Sequence, residues 1–156
     1  MKYIKKESYE IYDDMPQDNN YFEVDEEIAN TIMILNKKGY QTSNCCAGHS
    51  QAPIIEIQIS KEDIPLYDKT EAYSIEFKDN KYYAKGPLLG STIYIGFKAN
   101  YQFKSIPTDF VYRDQQLSYY FLYYKKNEMV DQDKLCSDIT KHNNILLKWA
   151  EELPNN

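Results

Sequence analysis

The sequence predicts an α+β fold: a mostly antiparallel sheet packed by two main helices, over about 25–38 and 132–152. Three observations predict it. Apolar residues recur at helical spacing over both of those segments, and between them the period changes to two. Aromatic residues make up 15% of the chain, including sixteen tyrosines, and tyrosine suits strands and half-buried faces. A chain of 156 residues has the size of one compact domain, able to bury roughly 70% of its unfolded surface without a disulfide or metal staple. A single domain over 1–156 is expected.

The first twenty residues are polar and end in the turn-rich MPQDNN. Ile4, Tyr9 and Tyr12 can share one helical face, which predicts a short helix around 5–13. In VDEEIANTIMILNKKGY, Asp25 is placed to cap a helix and Glu26 and Glu27 suit its first turn. Ile28, Ile32 and Leu35 fall at helical spacing, Lys37 and Lys38 sit where cations are favoured, and Gly39 is the expected left-handed stop. The chain then runs through Tyr40, Thr42 and Asn44 in a short strand that ends in Cys45-Cys46.

From Pro53 the alternation is that of strands. IIEIQIS sets Ile55, Ile57 and Ile59 against Glu56 and Gln58. YSIEF and KYYAK flank Asp79-Asn80, which predicts a hairpin over 73–85. STIYIGF puts Ile93, Ile95 and Phe97 on one face, with Tyr94 and Gly96 on the other. QLSYYFLYY is apolar on both faces, as in a central strand covered by helix. In the last helix, Leu135, Ile139, His142, Leu146, Trp149 and Leu153 form one stripe, and Pro154 stops it.

Charge and cysteine content narrow the function classes. The net charge is −6, and Arg113 is the one arginine among 18 basic residues. Arginine is the preferred residue for bidentate phosphate and guanine contacts, so the composition argues against nucleic acid and, of protein partners, for a basic one; the expected partner is an unknown small molecule or a host protein. No apolar run approaches the roughly 18 residues of a membrane span, so no membrane role is expected. The N-terminus shows no secretion signal, and three cysteines, two of them adjacent, make no disulfide framework. A reducing cytoplasm is the expected location.

The stretch that invites chemistry is SNCCAGHS, residues 43–50. Cys46 and His49 are three apart, a spacing compatible with zinc, and with His142 and a carboxylate or water they form the best available metal set. Alternatively, Cys46 is a nucleophile with His49 as its base, helped by backbone N–H groups exposed at Gly48. The plainest reading is a structural turn, because cysteine behaves as a small hydrophobe. His142, on an apolar stripe, is by the same reasoning a core residue. Thr42, Asn44, Gly48 and Tyr94 are the candidate ligand-binding residues around that turn. The tyrosines Tyr119, Tyr120, Tyr123 and Tyr124 pack as sheet or form a stacking platform for a ring.

The segment IMILNKKGYQTSNCCAGH, with TIYIGFKANYQFKSIP and KWAEELP later, resembles a group of small uncharacterised proteins of low-GC Gram-positive bacteria and their phages. Their shared pattern is L-N-x-K-G-Y-x-T-x-x-C-C-x-G-H, matched here by Leu35, Asn36, Lys38, Gly39, Tyr40, Thr42, Cys45, Cys46, Gly48 and His49. The resemblance implies a common fold and marks 51–90 as a hairpin-bearing insertion; it brings no activity with it. Residues 42–49 are also similar to a Thr-x-Ser-Ser-Cys-Ser-Gly-Arg segment of the wybutosine-synthesis tRNA methyltransferase family. Histidine stands here in place of its arginine, so that likeness implies a shared helix–strand–turn unit and no RNA substrate. The expectation is a small binding or interaction module with its site around 42–49 and no cofactor. The alternative is an enzyme using Cys46 and His49, or a zinc-dependent variant of the same site.

Overall fold

The computed structural model describes residues 1–48, 53–68, 73–87, 93–101, 104–114, 119–124 and 132–156. The elements run β1 (Lys2–Lys5), β2 (Ile11–Tyr12), β3 (Tyr21–Val24), α1 (Glu26–Lys37), β4 (Thr42–Ala47), β5 (Ile54–Ile59), α2 (Ile64–Asp68), β6 (Ser74–Lys78), β7 (Lys81–Pro87), β8 (Ile93–Lys98), β9 (Phe110–Asp114), β10 (Tyr119–Tyr124) and α3 (Gln132–Glu152). They form three antiparallel sheets, ordered β2-β1-β3, β4-β8-β10-β9 and β5-β7-β6. The α+β prediction holds, and both main helices lie where periodicity puts them.

One apolar core joins α1, α3, the four-stranded sheet and the N-terminal sheet. Ile28, Ile32 and Leu35 of α1 and Leu135, Ile139 and Leu146 of α3 pack in it with Ile93, Ile95 and Phe97 of β8. β10 is central in its sheet, as its two-sided apolar pattern requires. The predicted hairpin is β6–β7. Asp79 and Asn80 both adopt left-handed φ, 53° and 60°, which matches the strand twist at a two-residue turn. Its sheet has a separate small cluster of Ile59, Tyr67, Tyr73 and Ala84.

The stop of α1 sets the direction of the chain into β4. Gly39 takes φ +92°, its N–H donates to Asn36 O and the Tyr40 N–H to Leu35 O, closing the helix in a Schellman motif. Lys38 then reaches the end of α3, where Nζ donates to the carbonyls of Ala150, Glu151 and Leu153 at 2.8, 2.6 and 2.6 Å. The Tyr40 hydroxyl donates to Pro154 O at 2.7 Å, and Asn156 bonds to the backbone of Lys38, Gly39 and Asn100. Lys38, Gly39 and Tyr40 therefore tie the end of α1 to the end of α3 and the residues that follow it.

Two local expectations are corrected. Residues 5–13 form no helix: β1 pairs with β2 and β3, with Ile4 opposite Ile11 and Phe22 and fully buried. β3, which captures β1, lies at 21–24, too far along the chain for the pairing to mark local periodicity. Asp25 holds the N-cap position of α1, but its side chain makes no cap hydrogen bond. Its Oδ2 instead accepts the Ala47 N–H at 3.0 Å.

Candidate functional site

β4 is an edge strand, and it is not regular. Thr42 lies opposite Phe97 and Ser43 opposite Gly96, but Cys45 and not Asn44 lies opposite Ile95. Asn44 is the extra residue of a β-bulge. Side chains alternate along a strand, so one inserted residue reverses every face beyond it. Cys45 and Ala47 thereby share the helix-covered face with Thr42, while Cys46 turns to the other face, opposite Tyr94.

The reversal divides the sequence-predicted residues into two groups. Thr42 and Asn44 line a cleft of about 530 Å³ between α1, the N-terminal sheet and the start of β4; Cys45 lines it as well. Cys46, Gly48 and Tyr94 are not part of its wall. Cys46 is buried and its Sγ accepts the Gly48 N–H at 3.4 Å. Gly48 has φ +85°, a conformation that favours glycine. Ala47 between them is held from both sides, its N–H by Asp25 and its carbonyl by Asn143 Nδ2 at 2.9 Å. Thus 45–48 is a tightly bonded strand end. His49 lies outside the described residues.

His142 is buried on the predicted stripe of α3. Its Nδ1 bonds to Asp138 O and its Nε2 to Asp109 Oδ2, both at 2.8 Å. With both ring nitrogens committed, the histidine fixes α3 to the turn before β9. Among the described residues, no group of three or more histidines, cysteines, aspartates or glutamates is placed to hold a metal ion. Burial chiefly, with the Asp25 carboxylate and the Cys46 thiol, pushes the Cys45 thiol from 9.0 up to about 11. At neutral pH it is a protonated, weakly reactive thiol. Of the tyrosine ladder, Tyr120 lies between Phe97 (5.8 Å, 24°) and Tyr112 (5.6 Å, 23°) in a three-ring stack. The side chains of Tyr119, Tyr123 and Tyr124 lie outside the described residues.

The chain matches no family model, no curated protein and no solved structure.

The chemistry of the cleft therefore rests on its own residues. The aromatic wall is Tyr9 and Phe22, both half-buried against the main core. Tyr9 has φ +55°, so the chain doubles back between β1 and β2 and brings its ring over the cleft wall. Asn36, Gln41 and Asn44 supply carboxamides, Thr42 a hydroxyl, and Lys6 and Glu23 one charge of each sign; Ser43 also lines the cleft, but its Oγ is buried. Sequence reading centred on 42–49 did not assign Lys6, Tyr9, Phe22, Glu23, Asn36, Gln41, Ser43 or Cys45 to a ligand site. The one local sign was Asn36, an amide in the last turn of α1, six residues before Thr42.

Proposed function

We propose that the protein is a small-molecule binding module and that its ligand is a ring-bearing, polar, near-neutral compound held in the cleft between β1–β3, the end of α1 and β4. The observation that carries this reading is the convergence of two aromatic rings with three carboxamides in a concavity of about 530 Å³, a size and a mixture usual for ligand sites. The side chains of Gln41 and Asn44 have no hydrogen-bond partner among the described residues, so their polar capacity is available to a ligand. Lys6 and Glu23 offset each other, which favours a neutral or singly charged ligand over a polyphosphate. A cytoplasmic setting accords with three cysteines that form no disulfide; no described helix is long and apolar enough to cross a membrane.

The test is a fragment screen followed by amide-resolved NMR titration of the whole chain. Ring-bearing polar fragments should shift the amides of Tyr9, Phe22 and 41–45 together. Hits that shift only residues beside Trp149, in the second concavity formed with Ser105–Thr108 as its neighbours, or no hits at all, would overturn the assignment.

A further inference from the structure

The floor of the cleft has a fixed hydrogen-bond polarity, and that polarity selects a ligand edge. Asn36 Nδ2 lies 2.7 Å from Ile32 O and 3.1 Å from Thr42 Oγ1. A carbonyl oxygen only accepts, so the contact with Ile32 O identifies the nitrogen of this amide and fixes its orientation. Both amide hydrogens are then used, one to Ile32 O and one to Thr42 Oγ1. Two groups follow from that assignment. Thr42 Oγ1 already accepts a hydrogen bond, so its own O–H is a donor still to be placed. Asn36 Oδ1, bonded to the same carbon as Nδ2, is an acceptor that no donor among the described residues reaches. A donor and an acceptor therefore stand side by side in the cleft wall, beside the rings of Tyr9 and Phe22.

Building on the small-molecule reading above, we infer that the ligand is a planar heterocycle presenting an acceptor next to an N–H donor: the lactam edge of a uracil- or hypoxanthine-type ring, or the amidine edge of an adenine-type ring. The ligand's acceptor takes the Thr42 hydroxyl proton and its N–H donates to Asn36 Oδ1, while its ring packs against Tyr9 or Phe22. A site built to bond an N–H discriminates strongly against the same ring without it, because the covered acceptor is then left unpaired. The pair is also rigid. Asn36 is held by the helix and Thr42 by its strand, so recognition needs no rearrangement of the floor.

The experiment titrates the intact protein with uridine and 3-methyluridine, and with adenosine and N6,N6-dimethyladenosine, followed by NMR and calorimetry. At least one parent nucleoside should bind in the cleft, with its methylated counterpart about tenfold or more weaker, the loss of one good hydrogen bond. Thr42→Val should weaken the parent by a similar factor, while Thr42→Ser, which keeps the hydroxyl, should stay within about threefold. Far-ultraviolet circular dichroism confirms that each variant is folded. Equal binding of a parent and its methylated form, or no effect of Thr42→Val, overturns the edge assignment and leaves the binding site standing. Cleft shifts produced only by rings without such an edge, such as phenol or indole, do the same. No cleft shift from any of these probes overturns both readings.

Discussion

Removing the Lys38 ammonium should loosen the junction of the two helix ends, and the size of the effect is set by its contacts. In Lys38→Met the apolar stem is retained, but the carbonyls of Ala150, Glu151 and Leu153 lose a charged donor at 2.6–2.8 Å. The last carbonyls of a helix have no partner within the helix, and the end carries partial negative charge. A hydrogen bond to a charged group contributes about 1.5–3 kcal/mol. Three bonds from one ammonium are not additive, and Glu151 O is exposed and can turn to water, so the net loss is about 2–3 kcal/mol. For a chain of this size that lowers the melting midpoint by roughly 5–10 °C. Lys37→Met is the control: Lys37 is exposed and has no partner among the described residues, so its loss should stay within about 0.5 kcal/mol. Urea denaturation followed by circular dichroism reads both variants. If Lys38→Met unfolds at the same urea concentration as Lys37→Met, water serves those carbonyls equally well and the clamp contributes nothing.

Two further outcomes are expected from the strand end. With its thiol raised from 9.0 to about 11, Cys45 should react with iodoacetamide at pH 8 about 100-fold more slowly than an ordinary exposed thiol, and about tenfold faster with each pH unit up to 11. Because the folded value lies above the unfolded one, the stability linked to Cys45 is complete below pH 9 and is lost between pH 9 and 11. Mass spectrometry of the alkylated chain against pH checks the first point; rapid modification at pH 7 would contradict a half-buried, protonated thiol. Asn143 is 4% exposed, donates to Ala47 O and Ile139 O, and its Oδ1 has no donor among the described residues. Asn143→Asp should cost about 3–5 kcal/mol, since it sets a buried carboxylate against two carbonyls, and Asn143→Leu only about 1–2 kcal/mol. Equal thermal midpoints for the two variants would rule out that polarity.

The features legible in the residues were local ones. α1 and α3 announce themselves because spacing, the glycine stop and the proline stop all lie within the helices or just beyond them, and the β6–β7 turn because Asp79-Asn80 tolerates left-handed φ. The N-terminal sheet escaped because Ile4 is buried by partners at Ile11 and Phe22, contacts that no short window contains. The bulge at Asn44 escaped for a different reason. Regular alternation from Tyr40 through Thr42 and Asn44 puts Cys46 on their face, whereas a single inserted residue puts Cys45 there. Polar Ser43-Asn44 within a strand hinted at an irregularity but could not give its direction.

The same geometry explains why a motif full of reactive residue types is mostly scaffold. Leu35 is core, Lys38 clamps α3, Gly39 supplies the left-handed stop, Tyr40 bonds Pro154, and Cys46 and Gly48 close on each other. Among the described residues of that pattern, Asn36, Thr42 and Cys45 reach the cleft. They reach it because the helix stop turns the chain back at once into β4, six residues separating an amide on the last turn from a hydroxyl on the first strand residue. The 3.1 Å bond between them joins helix to strand, and on the reading proposed above it leaves one donor and one acceptor for a ligand at a rigid junction. A ligand of the kind proposed, taking up both, would lose little entropy in ordering the protein, so its affinity would depend on the match of its edge rather than on the area it buries.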